Sequence, residues 1–236
     1  MIYEHTMTAT FLSRPNRFLA HVLLDGQDVV CHVKNTGRLK ELLIPGTSVL
    51  IQHHPDAKAL GRKTEYSLIG VQHQIAGSSQ WVNIDSQAPN QAAFEWLSFG
   101  DGLPFCPRPQ EIRREVTHGS SRFDLAFSAA GQPWFLEVKG VTLNVDGQAR
   151  FPDAPTERGI RHLHELSHAV KERFGAAILF VIQMKGCSSF APNPEHPEFV
   201  QALREAKAQG VHIWARDCLV TSDSMCIDRP VEVKLF

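Results

Sequence analysis

Residues 177–183 (Ala-Ile-Leu-Phe-Val-Ile-Gln) are apolar at every position but the last. A run this dense is what a β-strand covered on both faces requires, and it is far too short to span a membrane. Its flanks supply the cover. Residues 156–174 read as a helix with Leu163, Leu166, Val170 and Phe174 on one stripe, closed by Gly175. Residues 197–209 read as a second helix ended by Gly210, and 211–216 as another strand, with 231–235 a further candidate. Upstream, 112–117, 122–128 and 133–139 have strand character, and 90–99 is a helix with Asn90 as its N-cap. A hairpin followed by strand–helix alternation gives an α/β (α+β) unit over 85–236, a mixed sheet flanked by helices.

Residues 1–84 follow another pattern. Segments 17–24 and 27–34 flank Asp25-Gly26, a two-residue hairpin signal. Strand candidates recur at 48–53, 65–71 and 81–84, with a helical turn at 39–43 and a polar loop at 55–63. Short strands without a long helix predict a small β-barrel or sandwich. A chain of 236 residues accommodates two such units.

The net charge of −1 excludes a basic field over the whole molecule. Residues 1–80 nevertheless carry 8 Lys and Arg against 6 Asp and Glu, the more basic part of the chain. Five scattered cysteines with no CxxC pair argue against a disulfide framework or a cysteine zinc site. With no basic-then-apolar leader, the expected compartment is the reducing cytoplasm.

The hairpin at 122–139 carries the chemistry. If it turns on Ala130-Gly131, Asp124 faces Glu137, Arg122 faces Lys139, and all four side chains share one face. Phe123, Leu125, Phe127, Trp134, Leu136 and Val138 then form the other, apolar face. Opposed carboxylates repel unless a cation sits between them, and an all-oxygen site with open positions suits Mg²⁺ or Mn²⁺. A lysine beside such an ion stabilises charge on a phosphoryl group, so Asp124, Glu137 and Lys139 make a kit for phosphodiester hydrolysis, with Asp124 and Glu137 as metal ligands. The competing reading laces the same face with diagonal ion pairs, Arg122 to Glu137 and Asp124 to Lys139.

Longer stretches carry a resemblance. Arg14-x-Asn16-Arg17-Phe18, His32-x-x-Asn35-Thr36-Gly37-Arg38, Glu41-Leu42-Leu43-x-Pro45-Gly46 and Lys63-Thr64-x-Tyr66-Ser67-Leu68 come first. Val82-Asn83, Pro89-Asn90, Arg122-x-Asp124 and Glu137-Val138-Lys139-Gly140-Val141-Thr142-Leu143 follow. Phe151-Pro152-Asp153-Ala154 and Thr156-Glu157-Arg158-Gly159-x-x-His162-Leu163-x-x-Leu166 complete the set. In this order they resemble the sugar fermentation stimulation protein A family over nearly the whole chain. The resemblance implies an OB-like N-terminal β-barrel and a restriction-endonuclease-like C-terminal domain. It also implies non-specific DNA binding and a regulatory role in sugar (maltose) metabolism. Such nuclease folds often add a helix glutamate, for which Glu95 is the candidate. The non-catalytic alternative, a DNA-binding regulator that keeps the nuclease framework as a scaffold, stays open. Two positions depart from the family pattern: Lys34 where proline is usual, and Gln91 where arginine is expected after Asn90.

With DNA as the implied partner, Arg14, Arg17, Lys34 and Arg38 become phosphate-contact candidates, with Asn35 and Thr36 adding hydrogen bonds. Phe18 reads as a stacking platform or, in preference, as core. Arg158 at a helix start reads equally as an anion contact or as part of a turn capped by Thr156. His164-Glu165-x-x-His168 matches the zinc-peptidase pattern, but no third ligand stands at a usable spacing, and the two histidines lie away from the apolar stripe.

Overall fold

The computed structural model describes residues 1–35, 37–75, 77–103, 105–106, 108–119 and 121–235. The chain opens with β1 (Thr6–Asn16), β2 (Leu19–Leu24), β3 (Gln27–Val33), β4 (Ser48–His53), β5 (Tyr66–Ile75) and β6 (Ser78–Asn83). They form one sheet in the order β3-β2-β1-β4-β5-β6, and β3 also pairs with β5 in parallel. Asp25 (φ 49°) and Gly26 (φ 80°) make the tight turn between β2 and β3 that their residue types demand.

Next come α1 (Ala88–Phe99), β7 (Gln110–His118), β8 (Ser121–Ala129), β9 (Gln132–Val141), β10 (Leu143–Val145) and β11 (Gln148–Phe151). They are followed by α2 (Glu157–Lys171), β12 (Gly175–Ile182), β13 (Ser189–Pro192) and α3 (Pro197–Ala208). The last strands are β14 (His212–Val220), β15 (Met225–Pro230) and β16 (Glu232–Val233). The main C-terminal sheet runs β15-β14-β12-β9-β8-β7, parallel only where β12 meets β9 and β14. A smaller sheet, β10-β11-β13-β16, lies apart from it.

Every residue of β12 is buried, as its sequence requires. Ala176, Ile178, Phe180 and Ile182 pack on the side of α2 and α3, whereas Ala177, Leu179 and Val181 pack on the side of α1. On α2, Leu163, Leu166 and Ala169 are buried, and Val170 and Phe174 lie against the same core. That core continues into the interior of the N-terminal sheet. Buried Gln183 fastens the two units: its side-chain amide donates to the Asn83 carbonyl at 3.0 Å and to the Asp85 carbonyl at 3.2 Å, and its own carbonyl accepts from the Asn83 amide at 3.0 Å. The chain start is also tied to the second unit, because the Tyr3 amide donates to the Asp223 carbonyl at 2.7 Å. Among the described residues no helix is long and apolar enough to cross a membrane.

Three expectations change. The N-terminal unit includes β1, a long strand not expected from the sequence, whose register shifts at Phe11/Ser13 and Ser13/Asn16 break the two-residue alternation. Helix α1 begins before Asn90: Asp85 accepts from the Gln87 amide at 2.9 Å, and Pro89 fits the first turn, so Asn90 lies inside the helix rather than capping it. In the hairpin, Phe123 leaves the Leu125/Phe127/Leu136 side and stacks on Phe135, 4.6 Å between ring centroids, on the face toward α2.

Candidate active site

The hairpin keeps the anticipated register from Ala129↔Gln132 to Leu125↔Leu136. Ala130 and Gly131, both at positive φ, make its turn. The ladder stops where Asp124 would meet Glu137. There Asp124 Oδ2 accepts the Val138 amide at 2.8 Å, a side chain standing in for a backbone acceptor. Its Oδ1 accepts from Asn90 Nδ2 at 2.8 Å, so α1 holds the carboxylate from one side.

On the other side, β9 presents Glu137 to α2. Glu137 is 2% exposed. Its Oε1 takes Lys139 Nζ at 2.5 Å and a short contact from His162 Nδ1. Lys139 Nζ also lies 3.2 Å from His162 Nδ1. Arg158 Nε donates to His162 Nε2 at 3.2 Å, which places the proton of a neutral ring on Nδ1, facing Glu137. Thr156 caps α2 by accepting from the Gly159 amide at 3.0 Å, and the next turn of the helix carries His162 to the sheet.

The two acids therefore live in opposite environments. Burial, then the charge on Glu137, pushes the Asp124 carboxyl up to about 6, against the pull of the Val138 amide, Lys139 and Asn90. Burial works the same way on Glu137, but the bonds from His162 and Lys139 outweigh it and hold that carboxyl below its usual range. Glu137 has a counter-charge in Lys139, and Asp124 faces it without a full one of its own.

Asp124 thus opposes folding once ionised. A carboxyl whose folded pKa is raised stabilises the fold below its ordinary range, about pH 4, and that contribution is lost as pH rises through about 6. In metal-free protein, Asp124→Asn is expected to gain stability relative to the native chain across that window. Urea unfolding of both proteins at a series of pH values checks this; a gap that does not change with pH would mean that Asp124 carries no such strain.

The other expected residues are placed differently. Arg122 does not reach Glu137 or Lys139: it is exposed and pairs with Glu115 at 2.8 Å, so the laced-face arrangement does not form. Glu95 lies five residues, well round the helix, from Asn90. It accepts the Met1 amino group at 2.5 Å and Gln91 Nε2 at 2.7 Å. Gln91, the family departure, also accepts from Arg114 Nη1 at 2.7 Å. Arg14 is spent on backbone. Its Nη1 donates to the Gly37 and Arg38 carbonyls and its Nη2 to those of Arg17 and Asn35, all at 2.8 Å. It clamps two loops rather than waiting for a phosphate. Arg14→Ala is expected to destabilise the protein by about 2 kcal/mol and to hasten proteolysis at the 35–38 loop; limited trypsin digestion and thermal melting check both.

Lys34 pairs with the buried carboxylate of Asp85 at 3.2 Å. Asn35 donates to the Ile84 carbonyl at 2.9 Å and accepts from the Gly37 amide at 2.7 Å. Thr36 lies outside the described residues. Arg17, Arg38 and Arg158 are exposed, the last bound to His162. The loop at Gly37 abuts Asp153, and a cleft of about 120 Å³ between the units runs from Asn35 to Gly140, beside Lys139. In the zinc-peptidase pattern, Glu165 pairs with Arg161 at 3.7 Å and His168 with Glu172 at 3.7 Å.

Sequence reasoning did not assign Asn90 to the site, and it left His162 open between a site acid and a hydrogen-bonded helix histidine. Asn90 reads as a cap when taken locally. His162 belongs to a motif, but its meeting with Glu137 depends on how α2 docks. Among the described residues no group of three His, Cys, Asp or Glu is arranged to hold a metal. Asp124 and Glu137 supply two carboxylates, and Mg²⁺ commonly binds through one or two, completing its shell with water and substrate phosphate. The donor set fits an ion of that kind.

Comparison with known proteins completes the description. A model of the sugar fermentation stimulation protein RE domain matches residues 87–224, and one of the SfsA N-terminal OB domain matches residues 12–84. A sugar fermentation stimulation protein homolog of Desulfitobacterium hafniense (strain Y51) is 48% identical over 236 residues, covering 100% of this chain and 99% of the relative. That of Clostridium beijerinckii is 47% identical over 236 residues, covering all of both. Among solved structures, Pyrococcus furiosus SfsA, described in complex with Ca²⁺, superposes with a TM-score of 0.83 at 28% identity, over 99% of this chain and 98% of that one.

Proposed function

This chain belongs to the sugar fermentation stimulation protein family, and from that premise we infer that it is a non-specific DNA-binding protein with a Mg²⁺- or Mn²⁺-dependent phosphodiesterase centre at Asp124, Glu137 and Lys139. One observation carries the reading: buried Glu137, bonded by Lys139 and His162 and held low, beside half-buried Asp124, whose carboxyl is pushed up to about 6. Acids driven apart in this way mark sites where charge is handled. The Ca²⁺ complex of the Pyrococcus furiosus relative supports a site for hard, oxygen-seeking cations in such a chain.

Asp124 and Glu137 would hold the ion, with Asn90 and His162 fixing their orientation. When bound, the ion supplies positive charge to a phosphoryl oxygen and acidity to a water. Lys139, 2.5 Å from Glu137, is placed to orient the nucleophile or to stabilise the charge that builds on the phosphate. Exposed Arg17, Arg38 and Arg158 are the remaining candidates for tracking the backbone of DNA. The closing β3–β5 pairing supports an OB-like barrel, and the hairpin with parallel β12 and covering α2 supports a restriction-endonuclease-like unit.

A second reading has its own observation: Lys139 and His162 close on Glu137 as a self-contained ion cluster. It makes the protein a non-catalytic DNA-binding regulator, in the sugar metabolism its family name denotes. Incubation with single- and double-stranded DNA in Mg²⁺ or Mn²⁺ separates the two. Cleavage is the result expected; salt-sensitive binding with no cleavage under either ion leaves the second reading.

A further inference from the structure

Phe18 is 52% exposed, although its residue type favours burial. It stands in the turn between β1 and β2, where the Asn16 side chain accepts from the Phe18 amide at 2.9 Å and the Leu19 amide at 3.1 Å. The ring is therefore presented from a fixed turn, which reduces the ordering cost of binding. Beside it lies a depression of about 470 Å³ lined by Phe18 and Leu19, by Asn16, His32 and Thr64, and by Arg62 and Lys63.

No carboxylate lines this depression. Arg62 is aimed by bonds to the Thr64 carbonyl at 3.4 Å and to Ser67 Oγ at 3.0 Å. Lys63 is exposed and has no hydrogen-bond or ion-pair partner among the described residues. The outward face of the β2–β3 ladder is mixed: Leu19 stands opposite His32, His21 opposite Val30, and Leu23 opposite Asp28, whose carboxylate bonds His21 at 2.9 Å. Val30 and Leu23 are 38% and 40% exposed.

We propose that this face binds single-stranded DNA, with an unpaired base stacked on Phe18 and its flanking phosphates on Arg62 and Lys63. An aromatic face framed by cations complements a base framed by phosphates, and a projecting ring needs a base that is free of its stack. A duplex hides those faces, so the site discriminates by strandedness and not by sequence. The proposal deepens the DNA-binding reading above and rests on it. It places the contact at the β1–β2 turn and the β4–β5 loop, away from Asp124, Glu137 and Lys139.

The test is fluorescence anisotropy of the full chain with a labelled oligothymidylate of about 15 nucleotides and with a duplex of equal length. The native protein should bind the single strand more tightly. Phe18→Ala should weaken that binding on the order of tenfold and leave the duplex almost unchanged; the residue is exposed, so the fold should survive, as melting would verify. Lys63→Ala should weaken both and lower the salt slope by about one. Phe18→Trp should keep its affinity and show indole quenching as oligothymidylate is added. Unchanged single-strand affinity in Phe18→Ala, or no quenching in Phe18→Trp, would overturn the proposal and leave the face to a protein partner. If the native chain bound neither form of DNA, the underlying functional reading would fall with it; duplex binding alone would sink only the single-strand site.

Discussion

Replacing Asp124 with alanine is expected to lower the rate of metal-dependent DNA cleavage by on the order of 10³-fold, about 4 kcal/mol of transition-state stabilisation. The size follows from the position of the residue. Asp124 is the carboxylate without a full counter-charge of its own, and Glu137 is already engaged by Lys139 and His162. Removing Asp124 would leave a cation one carboxylate that is otherwise committed. DNA affinity should hold or rise, because one negative charge leaves a surface that meets phosphates. Single-turnover cleavage of labelled DNA, with protein in excess over substrate, reads the chemical step, and anisotropy on the same preparation reads binding. Equal turnover in the native and Asp124→Ala proteins would place the activity elsewhere or in a contaminant. A parallel loss of binding would recast Asp124 as a structural residue.

How much of this site could be read from residue order depends on which contacts are local. The hairpin arithmetic held from Ala129↔Gln132 to Leu125↔Leu136 because turn geometry and alternation fix register over a short span. It broke one step later, where the Asp124 side chain took the Val138 amide; nothing in the spacing announces a side chain entering a ladder. Arginines presented the reverse difficulty. Arg14 and Arg38 look alike as letters, yet one is consumed by four carbonyls and the other faces water. Phe18, taken for core by its type, proved exposed because the Asn16 turn holds it outside.

The fold shows the same division. β12 was legible because both of its faces are covered, so no alternation was needed to identify it. Of the small sheet, β16 falls inside the 231–235 candidate, whereas β10, β11 and β13 were missed: they are three or four residues long, below the span over which a period can be seen. A signal was nevertheless present, since Asp146 (φ 51°) and Gly147 (φ 80°) turn β10 into β11 just as Asp25 and Gly26 turn β2 into β3.

Gly175→Ala is expected to destabilise the protein by about 3 kcal/mol, the largest single-methyl effect in the sheet. The glycine has an ordinary backbone conformation, so the constraint is one of space. It pairs with Trp134 across the β9–β12 ladder, and a Cβ there would sit 2.1 and 2.2 Å from two atoms of the indole. Trp134 has little room to yield. Phe105 stacks on it at 4.7 Å, and Trp214 and Phe127 lie parallel at 6.2 Å. His212 closes edge-on at 5.1 Å. The stiffer unfolded chain of an alanine variant returns only about 0.4–1 kcal/mol. In a chain of this size, 3 kcal/mol lowers the melting temperature by roughly 6–12 °C, and tryptophan emission should shift as the indole is displaced. A double-mutant cycle identifies the cause: with Trp134→Leu already in place, Gly175→Ala should cost far less than it does alone. Full additivity in that cycle would show that the methyl group collides with something other than the ring.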